Sequence, residues 1–224
     1  SMRTPAPASP AGLARASSPS TEALASCLLA TLDDALARRI GSAIQFEVGS
    51  AQGPLFRVAL GVCSHDGGEV IGHRHRFDLA SLTKAAASSL LCLRAVADER
   101  LSLDTPVGEL FASDEVHPRL RSQPLEALLC HRSGLLAWAP LFERIAAPQR
   151  GLRATAEGLV RTVLSEAPQA PTCGQVYSDL GYIVLGAALE RAFAEPLELA
   201  FAAQVAAPLG TSLGYGPDPQ AVAT

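Results

Sequence analysis

Residues 77–84 read FDLASLTK, and the run AAASSLL follows directly over residues 85–91. Alanine, leucine and lysine favour helices, and no glycine or proline occurs before Asp98, so the pattern predicts a helix that begins near Ser81. Residues three apart on a helix share a face, which places Ser81 and Lys84 in one site. A neighbouring base, such as a lysine with a lowered pKa, activates a serine hydroxyl as a nucleophile. The alternative is a helix start with a solvated lysine, because so short a pattern recurs by chance.

The composition indicates a globular chain with a sizeable core. The chain has 224 residues, which is enough for one large domain or two small ones. Of these residues, 48% are hydrophobic and 18% are charged. The net charge of −4 gives no basic footprint for nucleic acid, and no segment has the apolar length of a membrane span. We therefore expect neither a nucleic-acid partner nor a membrane partner.

Composition also divides the chain and suggests its compartment. Residues 1–20 are rich in Pro, Ala and Ser and are predicted to be a flexible arm, with the folded domain over residues 21–224. The five cysteines are widely spaced and odd in number, which favours free thiols over a disulfide framework. The first residues lack the hydrophobic segment of a secretory signal, so we expect a cytoplasmic protein, or a periplasmic one if a signal was removed.

The predicted elements run in the order helix, two strands, then mainly helices. The first helix is predicted from Thr21 to about Arg39, and a hairpin connection joins strands at 43–48 and 55–62. After the helix that begins near Ser81 and runs to about Glu99, helices are predicted at 107–111, 125–130, 155–166, 180–193 and 196–205. This order differs from the regular alternation of a doubly wound sheet.

Three histidines, His65, His73 and His75, cluster near Cys63. One interpretation is a zinc site, because alternate residues on a strand point to the same face. The other interpretation is a polar loop that leads into the Ser81 helix. We favour the loop, because no carboxylate completes an evident ligand set, and we predict no metal.

Five motifs in series carry a resemblance to a known family. They are FDLASLTK (77–84), RLSLDTPV (100–107), LLCHRSGL (128–135), VYSDLGYIVLG (176–186) and APLG (207–210). In this order and spacing, the chain resembles the serine β-lactamase-like superfamily, closest to class C-type β-lactamases, DD-peptidases and related esterases. The resemblance covers residues 20–216. It implies an α/β fold of the α+β type, with a helical region packed on an antiparallel sheet.

The resemblance implies a role for each matching residue. Ser81 would be the acylated nucleophile, Lys84 would activate it or hold the proton network, and Tyr177 would shuttle the proton as the tyrosine of a Y-x-N motif. Asp179 stands where the family more often has Asn, and a carboxylate only accepts hydrogen bonds. Either Asp179 acts in the substrate site, where its charge would raise the pKa of Lys84, or it mainly caps the following helix. The change weakens the case for β-lactam hydrolysis more than the case for hydrolysis in general.

The family's third motif, of the K-[ST]-G or H-x-G type, does not follow Tyr177 in this chain. We therefore expect roughly the first two thirds of an enzyme, with strands that complete the sheet lying beyond it. Three sources of that part stay open: a cleaved segment, an unseen segment, or a complementary C-terminal fragment that acts as a partner.

The sequence thus predicts a serine hydrolase that forms an acyl-enzyme on Ser81. Its substrate would be a small ester, amide or β-lactam, and it would need no metal or organic cofactor. The alternative is a catalytically silent module that binds ligands in the same pocket. Asp179 and the missing third motif favour the module, whereas the joint presence of Ser81, Lys84 and Tyr177 favours the enzyme.

Overall fold

A computed structural model of the chain describes residues 21–112, 114–144, 152–166 and 175–216. The predicted arm at residues 1–20 lies outside the described residues, as does Cys173. Two compact units are present: the described part of the first covers residues 21–78, and the second covers Leu79–Gly216.

The first unit contains one helix and a β-hairpin. Helix α1 covers Thr21–Ala37, and strands β1 (Ala43–Ser50) and β2 (Gly53–Gly61) pair in antiparallel register. The hairpin turn is therefore tighter than the predicted connection. The pairing register shifts after Val48, which marks a β-bulge near the turn. Gly61 has a φ of +96°, and a Cβ there would collide with the backbone at the start of β1, so only glycine fits.

The hairpin contributes little buried apolar surface. Among described residues 21–78, Ile71 is the one hydrophobic side chain that is almost fully buried, whereas Leu55 on β2 is 73% exposed. A two-stranded ribbon is marginally stable by itself. The main hydrophobic core of the described chain therefore lies in the second unit.

The second unit is helical. Its elements are a π-helical segment at Lys84–Ser89 and helices α2 (Leu90–Ala97), α3 (Val107–Leu110), α4 (Pro118–Arg121), α5 (Leu125–Leu129), α6 (Leu141–Arg144), α7 (Leu152–Ser165), α8 (Asp179–Phe193), α9 (Leu197–Phe201), a second π-helical segment at Ala202–Ala206, and α10 (Ala207–Leu209). Helix α8 packs against α2, α5, α7 and α9. Leu180, Val184, Leu185 and Leu189 are almost fully buried and recur at helical spacing, which explains its central place.

The predicted helices and strands agree with these elements, with two differences near the candidate site. The helix expected from Ser81 starts later, because Lys84–Ser89 is π-helical and Ser81 lies in the turn before it. The helix expected at 180–193 begins at Asp179 and has Ser178 as its N-cap.

The structure also describes the cysteines and the lengths of the helices. The four described cysteines, Cys27, Cys63, Cys92 and Cys130, are free thiols. None of the helices in the described ranges is both long enough and apolar enough to cross a membrane.

The zinc interpretation has no support in the described residues, where no three His, Cys, Asp or Glu side chains form a metal-ligand group. His75 instead accepts a hydrogen bond from the Gly72 N–H at Nδ1, at 2.9 Å. This ring therefore belongs to the polar loop of the alternative interpretation.

Candidate active site

Ser81 and Lys84 form one wall of the candidate site, which we call the nucleophile wall. The backbone turns tightly here, because the N–H of Lys84 donates to the carbonyl of Ser81 at 3.1 Å. The Lys84 Nζ donates to the Ser81 Oγ at 3.2 Å. The predicted proximity of the two side chains is therefore confirmed. Ser81 is exposed, so its hydroxyl is open to a ligand.

The residue before the serine has an unusual backbone. Ala80 has a φ of +44°, in the left-handed region that residues with a Cβ rarely adopt. Such a conformation costs about 1–3 kcal/mol and persists where the surrounding structure holds it. The turn that presents Ser81 is therefore strained.

Tyr177 and Asp179 form the opposite side, which we call the tyrosine wall. The Lys84 Nζ lies 2.7 Å from the Asp179 Oδ1 and 4.9 Å from the centroid of the Tyr177 ring. Lys84 thus joins the two walls. The structure brings all four residues of the predicted site together.

The charge of Lys84 is set by these neighbours. Its side chain is only 17% exposed, and burial alone would lower its pKa. Hydrogen bonds and charge interactions with Asp179 and Tyr177 outweigh burial and raise the pKa of Lys84 above its ordinary value. Lys84 is therefore an ammonium ion at neutral pH.

Tyr177 shows the opposite shift. Hydrogen bonding with Ser81, then with Lys84, lowers the pKa of the Tyr177 hydroxyl. The ring is half-exposed, so the group is accessible from the site. A tyrosine whose pKa is lowered beside a serine hydroxyl is suited to proton exchange with it.

The interpretation of Asp179 as a helix cap is wrong. Ser178 caps α8, because its backbone is extended and its Oγ accepts a hydrogen bond from the Gly181 N–H at 3.1 Å. Asp179 is the first residue of the helix, and its N–H donates to the Ala137 carbonyl at 2.8 Å. Its Oδ1 is buried against Lys84. The carboxylate therefore contacts Lys84 within the candidate site.

A loop at residues 130–137 holds the tyrosine wall in place. Each contact joins a residue near Tyr177 to this loop. They are Gln175 Nε2 to the Cys130 carbonyl at 2.6 Å, Val176 N–H to the His131 carbonyl at 3.0 Å, Ser178 N–H to His131 Nδ1 at 3.0 Å, and Ser178 Oγ to the Leu136 carbonyl at 2.7 Å. Tyr177 is therefore positioned by residues more than 40 places earlier in the chain.

His131 is the residue of this site that the sequence analysis did not single out. Its ring centroid lies 4.4 Å from that of Tyr177 and 5.1 Å from that of Tyr182. Burial and the positive charge of Lys84 lower the pKa of His131, and they outweigh a backbone hydrogen bond with Ser178 and the charge of Asp179, which act in the opposite direction. The available signal was the LLCHRSGL motif itself, which carried the resemblance without a role for its histidine.

A broad groove elsewhere in the second unit does not include these residues. Its floor is apolar, with Phe111 and Leu164, and carboxylates such as Glu157 and Glu195 lie at its edge. Serine, cysteine and histidine are absent from its described lining. The groove therefore offers none of these three side chains as a nucleophile, and the candidate site remains at Ser81.

Comparison with known families gives one clear match. The model of the beta-lactamase family matches residues 43–224. Among individual proteins, the chain is 36% identical to esterase EstB from Burkholderia gladioli over 201 residues. That alignment covers 84% of this chain and 50% of EstB, so the chain spans about half the length of this relative.

Solved structures share the fold at lower sequence identity. The octameric penicillin-binding protein homologue from Pyrococcus abyssi aligns with a TM-score of 0.73 and 19% identity, covering 88% of this chain and 47% of that one. A class C beta lactamase from Rhodobacter sphaeroides aligns with a TM-score of 0.65 and 18% identity, covering 81% of this chain and 48% of that one. The predicted fold class, with helices and an antiparallel sheet, is confirmed.

Proposed function

The chain belongs to the beta-lactamase family, and we propose that it is a serine hydrolase that forms an acyl-enzyme on Ser81. The observation that carries the proposal is the position of the Lys84 Nζ, which lies 3.2 Å from the Ser81 Oγ, 2.7 Å from the Asp179 Oδ1 and over the Tyr177 ring. A nucleophile, a fixed cation and a titratable hydroxyl thus meet at one point. This combination suits acyl transfer.

In the acylation step, the Ser81 Oγ attacks the substrate carbonyl while its proton passes to the Tyr177 phenolate. The tetrahedral intermediate then collapses. The bond to the leaving group breaks, and Tyr177 returns the proton to the departing oxygen or nitrogen. The ammonium of Lys84 stabilises the phenolate throughout, because it is held beside both hydroxyls.

The raised pKa of Lys84 supports Tyr177 rather than Lys84 as the base. A lysine must lose its proton to accept one, and the Asp179 carboxylate opposes that loss. Tyr177 carries a pKa that is shifted towards neutrality instead. Lys84 therefore acts as a fixed charge in this proposal.

In the deacylation step, a water molecule replaces the leaving group. Tyr177 takes a proton from that water as the water oxygen attacks the acyl carbon. The bond to Ser81 then breaks, the serine oxygen regains the proton, and the carboxylic acid leaves. The same residues thus serve both halves of the cycle.

We propose an ester, and secondarily an amide, as the substrate class. EstB is named as an esterase. Leu82 follows Ser81 and is 65% exposed, and Val176 precedes Tyr177 and is 44% exposed. Trp138 is 60% exposed and follows Ala137, whose carbonyl accepts from the Asp179 N–H. Such surfaces suit an uncharged acyl or alcohol group. An Asp179 carboxylate cannot donate a hydrogen bond to a β-lactam side chain, which makes β-lactams the poorest of the three classes.

The test is a hydrolysis panel with the full-length protein. We expect turnover of p-nitrophenyl esters, slower turnover of the matching anilides, and little turnover of a chromogenic β-lactam. Ser81→Ala should abolish all of these activities, whereas a change at the exposed Ser122, Ser122→Ala, should leave them unchanged. Equal ester hydrolysis by wild type and Ser81→Ala would refute the proposal.

A catalytically silent binding module is the second candidate. The ion pair between Lys84 and Asp179 favours it, because it removes one potential base from the site. Binding without turnover is measurable through Trp138, the single tryptophan of the sequence. A fluorescence change on ester addition with no product release would support the module and exclude the hydrolase.

A further inference from the structure

We propose that His131 is a positioning residue, which holds Tyr177 against Ser81 only while its imidazole is neutral. The inference rests on the proposed function, because it concerns the geometry of the residue that moves the proton. It makes the position of Tyr177 depend on pH, which neither the Ser81 turn nor helix α8 does. The tyrosine wall loosens when the His131 side chain gains a proton.

His131 holds Tyr177 at three points. The His131 carbonyl accepts from the Val176 N–H at 3.0 Å, and its Nδ1 accepts from the Ser178 N–H at 3.0 Å. Val176 and Ser178 flank Tyr177 on either side, so both backbone neighbours are fixed by one residue. The third point is the ring, whose centroid lies 4.4 Å from that of Tyr177. The direction of the tyrosine hydroxyl therefore depends on His131.

Contacts with the end of α5 and with Tyr182 hold His131 itself in place. It lies just after α5, with a φ of +57°, and its N–H donates to the Leu128 carbonyl at 3.2 Å. The ring also contacts Tyr182, whose centroid lies 5.1 Å away and whose hydroxyl donates to the Leu129 carbonyl at 3.2 Å. The imidazole thus contacts two tyrosine rings and is anchored to the end of a largely buried helix. A fixed residue of this kind transmits its own geometry to Tyr177.

The bond to Ser178 determines the protonation state. A backbone N–H can only donate, so Nδ1 must be unprotonated and the ring carries its hydrogen on Nε2. A proton on Nδ1 would place two donors face to face and break the bond. The charged and titratable groups around the ring are Lys84, Asp179, Tyr177 and Tyr182.

The sign of the pH effect follows from these neighbours. Burial and the Lys84 ammonium lower the pKa of His131 and outweigh the opposing effects of a Ser178 backbone hydrogen bond and the Asp179 charge, so the neutral ring predominates at pH 7. As the pH falls through the folded-state pKa, the ring gains a proton, the Ser178 bond is lost and a second cation appears near Lys84. Protonation of Tyr177 already lowers activity on the acid side, so this second proton should steepen the fall below the ordinary histidine pKa of about 6.5.

Two variants separate the acceptor from the ring. His131→Asn keeps an acceptor oxygen near the place of Nδ1 and cannot titrate. His131→Phe keeps an aromatic ring beside Tyr177 and leaves the Ser178 N–H without its acceptor. Loss of alignment lowers kcat by roughly 10- to 100-fold, with KM little changed. We expect that loss in His131→Phe. We expect His131→Asn to retain most of its kcat at pH 7, while the acid limb of its pH profile becomes less steep because only the proton taken up by Tyr177 remains.

The experiment measures kcat and KM for a p-nitrophenyl ester from pH 4.5 to 8 in the full-length wild type and both variants, with melting temperatures as a folding check. An acid limb in His131→Asn that is as steep as that of the wild type would overturn the inference, as would wild-type kcat in a folded His131→Phe. If the wild type shows no Ser81-dependent hydrolysis, the proposed function fails instead. The inference is then judged by NMR, where the Ser178 amide signal should shift with the titration of His131, and an unchanged signal would overturn it.

Discussion

The nucleophile wall and the tyrosine wall meet at Lys84, but they are built in different ways. Ser81 and Lys84 are three residues apart and come together within one turn of the backbone. Tyr177 and Asp179 depend on the loop at residues 130–137, and the bond from Ser178 to His131 spans 47 residues of sequence. One wall is local, and the other requires the folded chain.

The two walls also differ in the interactions that affect their stability. The nucleophile wall contains backbone strain at Ala80, whose φ is positive. The tyrosine wall is held by hydrogen bonds between two loop segments. Each hydrogen bond contributes about 0.5–1.5 kcal/mol to the free energy of unfolding. Changes in the first wall should therefore act locally, whereas changes in the second should affect geometry and stability together.

Removal of the tyrosine hydroxyl should have the largest effect. Tyr177→Phe removes the group that exchanges protons with Ser81, and general acid–base catalysis contributes about 10²- to 10⁴-fold. We expect kcat to fall by that order, with KM and the melting temperature nearly unchanged because the side chain is half-exposed. Steady-state kinetics with a p-nitrophenyl ester checks the prediction.

The matched control is Tyr182→Phe. It keeps the second ring against His131 but removes the hydroxyl that contacts Ser89 and the Leu129 carbonyl. Its kcat should fall much less than that of Tyr177→Phe. Equal losses in the two variants would mean that neither hydroxyl has a special role, which would remove Tyr177 from the mechanism.

Loss of the α8 cap should come next. Ser178→Ala removes the bond from the Gly181 N–H and leaves the Leu136 carbonyl without its donor, in a residue that is only 1% exposed. Loss of a serine cap costs about 0.5–2 kcal/mol. We expect a decrease of about 2 kcal/mol in the free energy of unfolding, measured by urea titration, with Ser122→Ala unchanged. If Ser178→Ala lowered the free energy of unfolding less than Ser122→Ala does, the hydrogen bonds of Ser178 would not stabilise the tyrosine wall.

The link between the walls should give a smaller, pH-dependent effect. Asp179→Asn removes the partner that raises the pKa of Lys84, so the lysine should lose its proton at a lower pH than in the wild type. The alkaline limb of the pH–rate profile should therefore move to lower pH. An alkaline limb at the wild-type position would show that the charge of Lys84 does not govern the rate.

The same variant has a signed effect on stability. A lysine with a raised folded pKa contributes stability below its unfolded pKa of about 10.4, and that contribution disappears as the pH rises through the folded pKa. The carboxylate of the pair is 44% exposed, so solvent limits the loss at pH 7 to about 1 kcal/mol. The difference from wild type in urea titrations should shrink above pH 10.4.

Strain in the nucleophile wall should give the smallest effect. Ala80→Gly removes a Cβ from a positive-φ position, which should raise the free energy of unfolding by about 0.5–1 kcal/mol. Ala85→Gly, at an exposed position in the adjacent π-helical segment, should lower it by about the same amount. Thermal unfolding of the two variants checks the opposite signs, and shifts of equal sign would argue against strain at Ala80.

The contrast between the walls also explains what the sequence could predict. The proximity of Ser81 and Lys84 follows from helical spacing, which depends only on neighbouring residues. Tyr177 was assigned to the site only through its motif, because no local rule connects it to a serine nearly a hundred residues earlier. The helix order was predictable for a similar reason, since the buried side of α8 repeats with helical period.

Two features of the site were beyond local rules. Asp179 and Ser178 are both good capping residues, and the choice between them depends on where the extended backbone at Ser178 points its hydroxyl. His131 has no neighbour in sequence that indicates a role, because its partners lie around Tyr177. Both were decided by contacts between distant segments.

The site of covalent labelling by a fluorophosphonate shows directly whether Ser81 is the nucleophile. Trypsin cleavage after Arg76 and Lys84 gives the peptide at residues 77–84, in which Ser81 is the one serine. Fragment spectra of the full-length protein should place the adduct on Ser81, with slower labelling in Tyr177→Phe and none in Ser81→Ala. An unlabelled wild type, or an adduct on another residue, would contradict Ser81 as the nucleophile.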